Sequence, residues 1–135
     1  QNLAGAVVYA EKDGELMFAF VHDVFGHWTL SKGKLDKAED LTAGVKRKIK
    51  EEIGLDIEVR DELARNEYIA THPEDGKIRK QVVYFLGKAE YGDLKLKETG
   101  GLDDARWFPL NQIAELNFYN DIFPIITKAV QILHA

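Results

Sequence analysis

The sequence predicts an α/β fold: an α/β/α sandwich around a mixed β-sheet, in one domain spanning 1–135. Strand-like segments lie on both sides of a single central helix, and a second helical pattern closes the chain, the arrangement that layers helices on a sheet. No linker, repeat or low-complexity tract interrupts the order. At 135 residues and 45% hydrophobic composition, the chain is large enough to bury a real core.

Each element follows from local pattern. Residues 3–10, LAGAVVYA, are a short apolar run with β-branched residues, read as a buried strand. EKDGE has turn chemistry and 16–21 resumes as a strand, so the pair reads as a hairpin. Residues 22–27 form a loop, and 28–30 lead into a second, glycine-containing loop that carries Lys32, Gly33 and Lys34. A helix is predicted from Glu39 onward, because Leu41, Val45, Ile49 and Ile53 recur every four residues and so share one face. Glu51 and Glu52 fall on other faces near its end, and Gly54 is a natural stop. The mixed pattern of 56–71 predicts a long or bulged strand, and PEDGK at 73–77 a turn. Residues 81–88, QVVYFLGK, are the strongest strand signal; a polar loop at 91–101, a short strand at 104–108 and helices over 109–116 and 122–133 complete the chain.

Composition narrows the functional classes. It is that of an ordinary soluble globular protein, and no apolar run approaches the roughly 20 residues needed to cross a bilayer. No signal-peptide pattern is visible, although the chain opens at Gln1 rather than Met, which leaves its natural start open. The absence of cysteine excludes disulfides, thiolate metal sites and cysteine nucleophiles, and the expected compartment is cytoplasmic. A formal charge of −5 argues against a broad nucleic-acid-binding surface, which needs clustered Lys and Arg. A small polyanion can still be bound locally by a few lysines.

The stretch from Gly33 to Leu55, GKLDKAEDLTAGVKRKIKEEIGL, resembles the signature of the Nudix hydrolases, G-x5-E-x7-R-E-U-x-E-E-x-G-U with U a bulky aliphatic residue. Gly33, Glu39, Arg47, Ile49, Glu51, Glu52, Gly54 and Leu55 fit it. HWTLSKGKLDKAED, IRKQVVYFLGKAE and DDARWFPLNQI extend the likeness to the asymmetric dinucleoside tetraphosphate (Ap4A) hydrolase subgroup, with Ser31 where that subgroup usually has Pro and Ala38 where it often has Gly. The Nudix fold is itself an α/β/α sandwich, so pattern and resemblance agree.

The resemblance implies a pyrophosphohydrolase that cleaves a nucleoside polyphosphate by water attack on phosphorus, dependent on Mg2+ or Mn2+. The metal ligands it implies are Glu52, Glu51 and the Gly33 carbonyl. Glu51, Glu52 and a downstream acid, Glu98, are the implied catalytic set. Lys32 and Lys34 would meet substrate phosphates, Tyr68 and Tyr84 would lie near the base, and Phe118 or Tyr119 would form the other wall. Arg47 would hold the loop by pairing with Glu39 or Glu51. The implied partner is a small nucleoside polyphosphate, with neither membrane nor nucleic acid. Taken alone, adjacent glutamates are most often a solvated helix face, and Tyr68 and Tyr84 suit a core as well as a ligand; His22 and His27 read as surface loop residues without a metal role.

Two departures cut against turnover. Lys48 replaces the signature Glu after Arg47, and an ammonium about 4 Å from Mg2+ would be repelled by roughly 8 kcal/mol at an effective dielectric near 20. Either the Lys48 stem swings outward or its ammonium takes the metal's place between Glu51 and Glu52, the latter an i, i+4 neighbour. Relatives also place a Glu six residues before the closing-strand Trp; counting from Trp107 gives Gly101, leaving Glu98, Asp103 and Asp104 as substitutes. The alternative expectation is therefore a degenerate Nudix domain that binds a nucleotide or protein partner without hydrolysis, with Lys48 in the metal site.

Overall fold

The computed structural model describes residues 2–74, 76–97 and 100–134. Glu98 lies outside the described residues. Among the described residues seven strands form one mixed sheet: β1 (Asn2–Lys12), β2 (Glu15–Asp23), β3 (Trp28–Thr29), β4 (Ser31–Lys34), β5 (Glu58–His72), β6 (Gly76–Lys88) and β7 (Leu102–Pro109). Helices α1 (Leu41–Ile53), α2 (Leu110–Ile113) and α3 (Phe123–Leu133) complete it.

Strand β1 organises the sheet. One of its edges pairs in parallel with β6, from Asn2↔Gln81 to Tyr9↔Lys88. Its other edge is divided: Val8–Lys12 pair with β2, while Leu3–Ala6 pair with β4. Strand β2 pairs with β7 along one edge and is continued on the other by β3. The chain from Trp28 to Lys34 thus leaves β2 and crosses to β1, opening the sheet where the two strands part.

Strand alternation separates two cores. Val7 and Tyr9 face a cluster with Phe18, Phe20, Phe108 and the α3 residues Ile125 and Ile126. Ala4, Ala6 and Val8 face a second cluster with Val45, Ile49 and Ile53 of α1. The predicted four-residue spacing therefore marks the buried face of α1, with Leu41 at its margin. Asp40 caps the helix by accepting from the Ala43 N–H, and Gly54 ends it at φ 77°.

Three of the differences from expectation have clear physical reasons. The helix begins at Leu41, because Asp40 spends its side chain as the cap and Glu39 turns back to accept the Asp36 N–H at 2.9 Å. The Lys32–Lys34 segment is a strand rather than a loop, since its backbone pairs with Leu3–Ala6. Glycine at position 5 permits that pairing: a Cβ there would stand 2.7 Å from both Lys32 Cβ and the Ser31 carbonyl. Strand β6 begins at Gly76, five residues before the apolar run, because hairpin pairing with β5 carries the polar residues along. The bulged reading of β5 matches its register shifts between Val59 and Glu62 and between Glu62 and Ala64. No helix among the described residues is long and apolar enough to cross a membrane.

Candidate functional site

The crossing strand and the end of α1 build the site together. Alternation along β4 turns Ser31, 2% exposed, toward α1, where its Oγ donates to Glu52 Oε1 at 2.7 Å. The Lys32 backbone N–H also hydrogen-bonds this carboxylate. Burial pushes the Glu52 carboxyl above its ordinary range, opposed by the Ser31 hydroxyl, the Lys32 N–H and the charges of Lys48 and Lys32.

Arg47 fastens the start of the helix to its last turns. Its Nε and Nη2 donate to the two Glu39 oxygens at 2.8 and 2.7 Å, and Nη1 donates to Glu51 Oε1 at 2.9 Å. The Arg47 hydrogen bonds hold Glu39 down to about 2 and, with those of Lys48, lower Glu51. Both carboxylates expected to pair with Arg47 therefore do so.

Of its two expected placements Lys48 takes the inward one, paired with Glu51 of the two expected glutamates. Its ammonium lies 3.3 Å from Glu51 Oε2, an i, i+3 pair, while Glu52 is held by the strand. Its stem crosses Gly33 so closely that a Cβ on that glycine would stand 2.5 Å from Lys48 Cδ. Gly33, Lys48, Glu51, Glu52 and Lys97 line a cavity of about 90 Å3. Lys97 is placed there by its main chain, whose N–H donates to the Glu52 carbonyl at 2.9 Å.

A larger cleft of about 510 Å3 shares Glu52 with that cavity and is also lined by Asp23, Phe25, Thr29, Lys32, Gly101, Tyr119 and Asp121. The Tyr119 hydroxyl donates to Asp23 Oδ2, and Asp23 Oδ1 accepts from the N–H groups of Phe25 and His27, each at 3.0 Å. Burial raises the Asp23 carboxyl, yet these donors bring it below its usual value. The His27 ring stacks on Tyr119 with centroids 4.0 Å apart. Phe25, 79% exposed, stands at the mouth.

The sequence-predicted residues divide among these places. Glu51, Glu52 and Gly33 meet in the small cavity, and Lys32 joins Glu52 in the cleft. Lys34 lines a separate hollow with Asp36, Lys37 and Glu39. Tyr119 is a cleft wall, whereas Phe118 is in the core. Tyr84 is also a core residue at 3% exposure, and burial pushes its hydroxyl up to about 12; Tyr68 is exposed on β5, and neither lines the cleft. Asp103 pairs with His22 at 2.7 Å and Asp104 with Arg106 at 2.7 Å, so both downstream acids are engaged. Sequence reasoning missed Asp23, Phe25 and Asp121. An Asp opening a short loop before Gly26 is an Asx-turn signal that points to Asp23; Phe25 and Asp121 carry no comparable signal.

With this geometry in view, the family follows from one further observation: a family model described as the NUDIX domain matches residues 2–129. The chain belongs to the Nudix family. The domain is similar to the Ap4A hydrolase of C. elegans in a binary complex, at 22% identity over 98% of this chain and 97% of that one, with a TM-score of 0.74. It is similar to the Nudix domain of Shewanella oneidensis NrtR complexed with ADP ribose, at 21% identity over 98% and 87%, with a TM-score of 0.76. A MutT protein from Methanosarcina mazei matches at 20% identity over 99% and 95%, with a TM-score of 0.69. These likenesses establish the shared Nudix fold.

Nudix enzymes generally use divalent metals, and the donors present test whether this Nudix domain suits one. Both Glu51 oxygens are engaged by cations, Arg47 on one and Lys48 on the other. Two glutamates face two lysines in the small cavity, for zero net charge. A hard dication favours converging carboxylate oxygens, and among the described residues no group of three His, Cys, Asp or Glu side chains converges. As arranged, the described residues do not fit a divalent cation.

Proposed function

We propose that this Nudix domain recognises a nucleoside polyphosphate, with the nucleoside in the 510 Å3 cleft and the phosphates reaching Lys32 and Glu52, and that Lys48 holds back phosphoanhydride hydrolysis. The observation that carries this reading is the Lys48 ammonium 3.3 Å from Glu51 Oε2, inside the cavity where the family signature gathers its carboxylates. The ligand class is supported by two similar proteins, one an Ap4A hydrolase and the other complexed with ADP ribose. Its expected partner is a small molecule and its expected compartment the cytoplasm.

A second reading is favoured by a different observation. Gly33, Glu51 and Glu52 do meet in one cavity, as a Mg2+- or Mn2+-dependent pyrophosphohydrolase of dinucleoside tetraphosphates would require. Glu98, which that reading adds as a downstream acid, lies outside the described residues.

The test is a hydrolysis and binding panel of Ap4A, ADP ribose and nucleoside triphosphates with Mg2+, comparing the parent with Lys48→Glu. Binding by both with turnover only by Lys48→Glu supports the proposal. Clear turnover by the parent selects the metal-dependent hydrolase, and the preferred substrate then names its class. Failure of both proteins to bind any member overturns the nucleotide reading.

A further inference from the structure

The 90 Å3 cavity holds more than a displaced metal site. It is small, about 90 Å3 against about 510 Å3 for the neighbouring cleft. Lys48 and Lys97 both line it, and the Lys48 ammonium pairs there with Glu51 Oε2 at 3.3 Å. Lys48 is laid across Gly33, whose missing side chain leaves the channel for its stem. Lys97 is anchored by its own N–H on the Glu52 carbonyl, while Leu94 and Leu96 of the same segment pack into the α1-facing core. The Lys48 stem, confined over Gly33, loses little further freedom on meeting a ligand, whereas only the backbone of the exposed Lys97 is fixed.

The charge balance is equally direct. With Glu at position 48, three glutamates, one divalent cation and Lys97 would together carry no net charge. Glu51 and Glu52 facing Lys48 and Lys97 carry zero. A phosphate approaching this cavity meets a site no more repulsive than a metal-loaded one, without any metal.

We propose that Lys48 and Lys97 take over the charge role of a divalent cation and hold a phosphate of the nucleoside polyphosphate in its metal-free form. This rests on the nucleotide reading above and names the ionic form that the site selects. Metal chelation lowers the negative charge of a polyphosphate, so the free anion is the better partner for fixed ammonium groups.

Isothermal titration calorimetry with ADP, inorganic pyrophosphate and adenosine, each in EDTA and in excess Mg2+, tests it on the parent, Lys48→Gln and Lys97→Gln. The expected result is that ADP and pyrophosphate bind the parent in EDTA at least as tightly as in Mg2+. Each substitution should weaken both ligands roughly tenfold or more, the size of one charge-assisted hydrogen bond, and leave adenosine unchanged. Two results overturn the inference while the nucleotide reading stands: ADP binding that requires Mg2+, or ADP binding in EDTA that neither substitution weakens. If neither ADP nor adenosine binds the parent in either buffer, the nucleotide reading falls together with it.

Discussion

Ser31 Oγ donates to Glu52 Oε1 across 2.7 Å, tying the crossing strand to the last turn of α1. In the relatives that this stretch resembles, position 31 is usually Pro, which has no hydroxyl to donate. The bond orients the one glutamate that lines both cavities. Ser31→Ala should therefore leave a half-buried carboxylate oxygen without its donor, at about 1–3 kcal/mol in urea unfolding at pH 7. Unchanged stability would mean that water replaces the hydroxyl.

The Arg47 pairs make a distinct pH prediction. Hydrogen bonds from Arg47 lower Glu39 from 4.5 to about 2. Because the folded value lies below the unfolded one, the stabilisation is complete above pH 4.5 and is lost as pH falls toward 2. Glu39→Gln should be less stable than the parent at pH 6, and the gap should close as acid unfolding is followed through pH 4.5 to 2. A gap that persists at pH 2 would show that shape rather than charge holds this corner.

Ala38 is one of two non-glycine residues with positive φ among the described residues, at 65°. A left-handed conformation costs an L-residue roughly 1–2 kcal/mol, partly offset in a Gly variant by the freer unfolded chain. Ala38→Gly should raise stability by up to about 1 kcal/mol, read as a higher urea midpoint with an unchanged slope. A lower midpoint would show that the methyl group is needed for packing.

Tyr84 and Phe25 exchange the importance that sequence pattern assigns them. Tyr84 is in the core and Phe25 stands open at the cleft mouth. Tyr84→Phe should leave ADP affinity unchanged in calorimetry, while Tyr84→Ala should cost about 3–5 kcal/mol of stability, as large aromatic truncations do. Phe25→Ala should weaken a nucleotide without altering stability, by about tenfold for a lost stacking contact. Equal affinity losses in Tyr84→Phe and Phe25→Ala would contradict this placement.

Legibility in the sequence followed the range of the interaction. The α1 register, the β1–β2 hairpin and the bulged β5 all express local periodicity, and the eight-position signature carried the family. Strand β4 was missed because SKGK has no strand propensity; its pairing depends on Gly5, far away in sequence. That Lys48 turns inward to Glu51 and Glu52 was legible, but which of the two it pairs with was not. An i, i+4 rule favours Glu52, but Ser31 and the Lys32 N–H had already taken that carboxylate. Tyr84 illustrates the converse: an aromatic in a strong strand has two faces, and only the sheet order decided that it joins Val7, Tyr9 and Phe20.

The divided edge of β1 has a kinetic side. Asn2 and Leu3 must meet Gln81 and Val82 in parallel register while the same strand accepts β4 on its opposite edge. Non-local pairings of this kind pay loop-closure entropy before they are rewarded, which slows folding relative to helical domains. On that basis α1 and the local β5–β6 hairpin are expected to order before the junction that positions Ser31 against Glu52. The expected consequence is that Ser31→Ala speeds unfolding more than it slows folding, which stopped-flow urea kinetics would read.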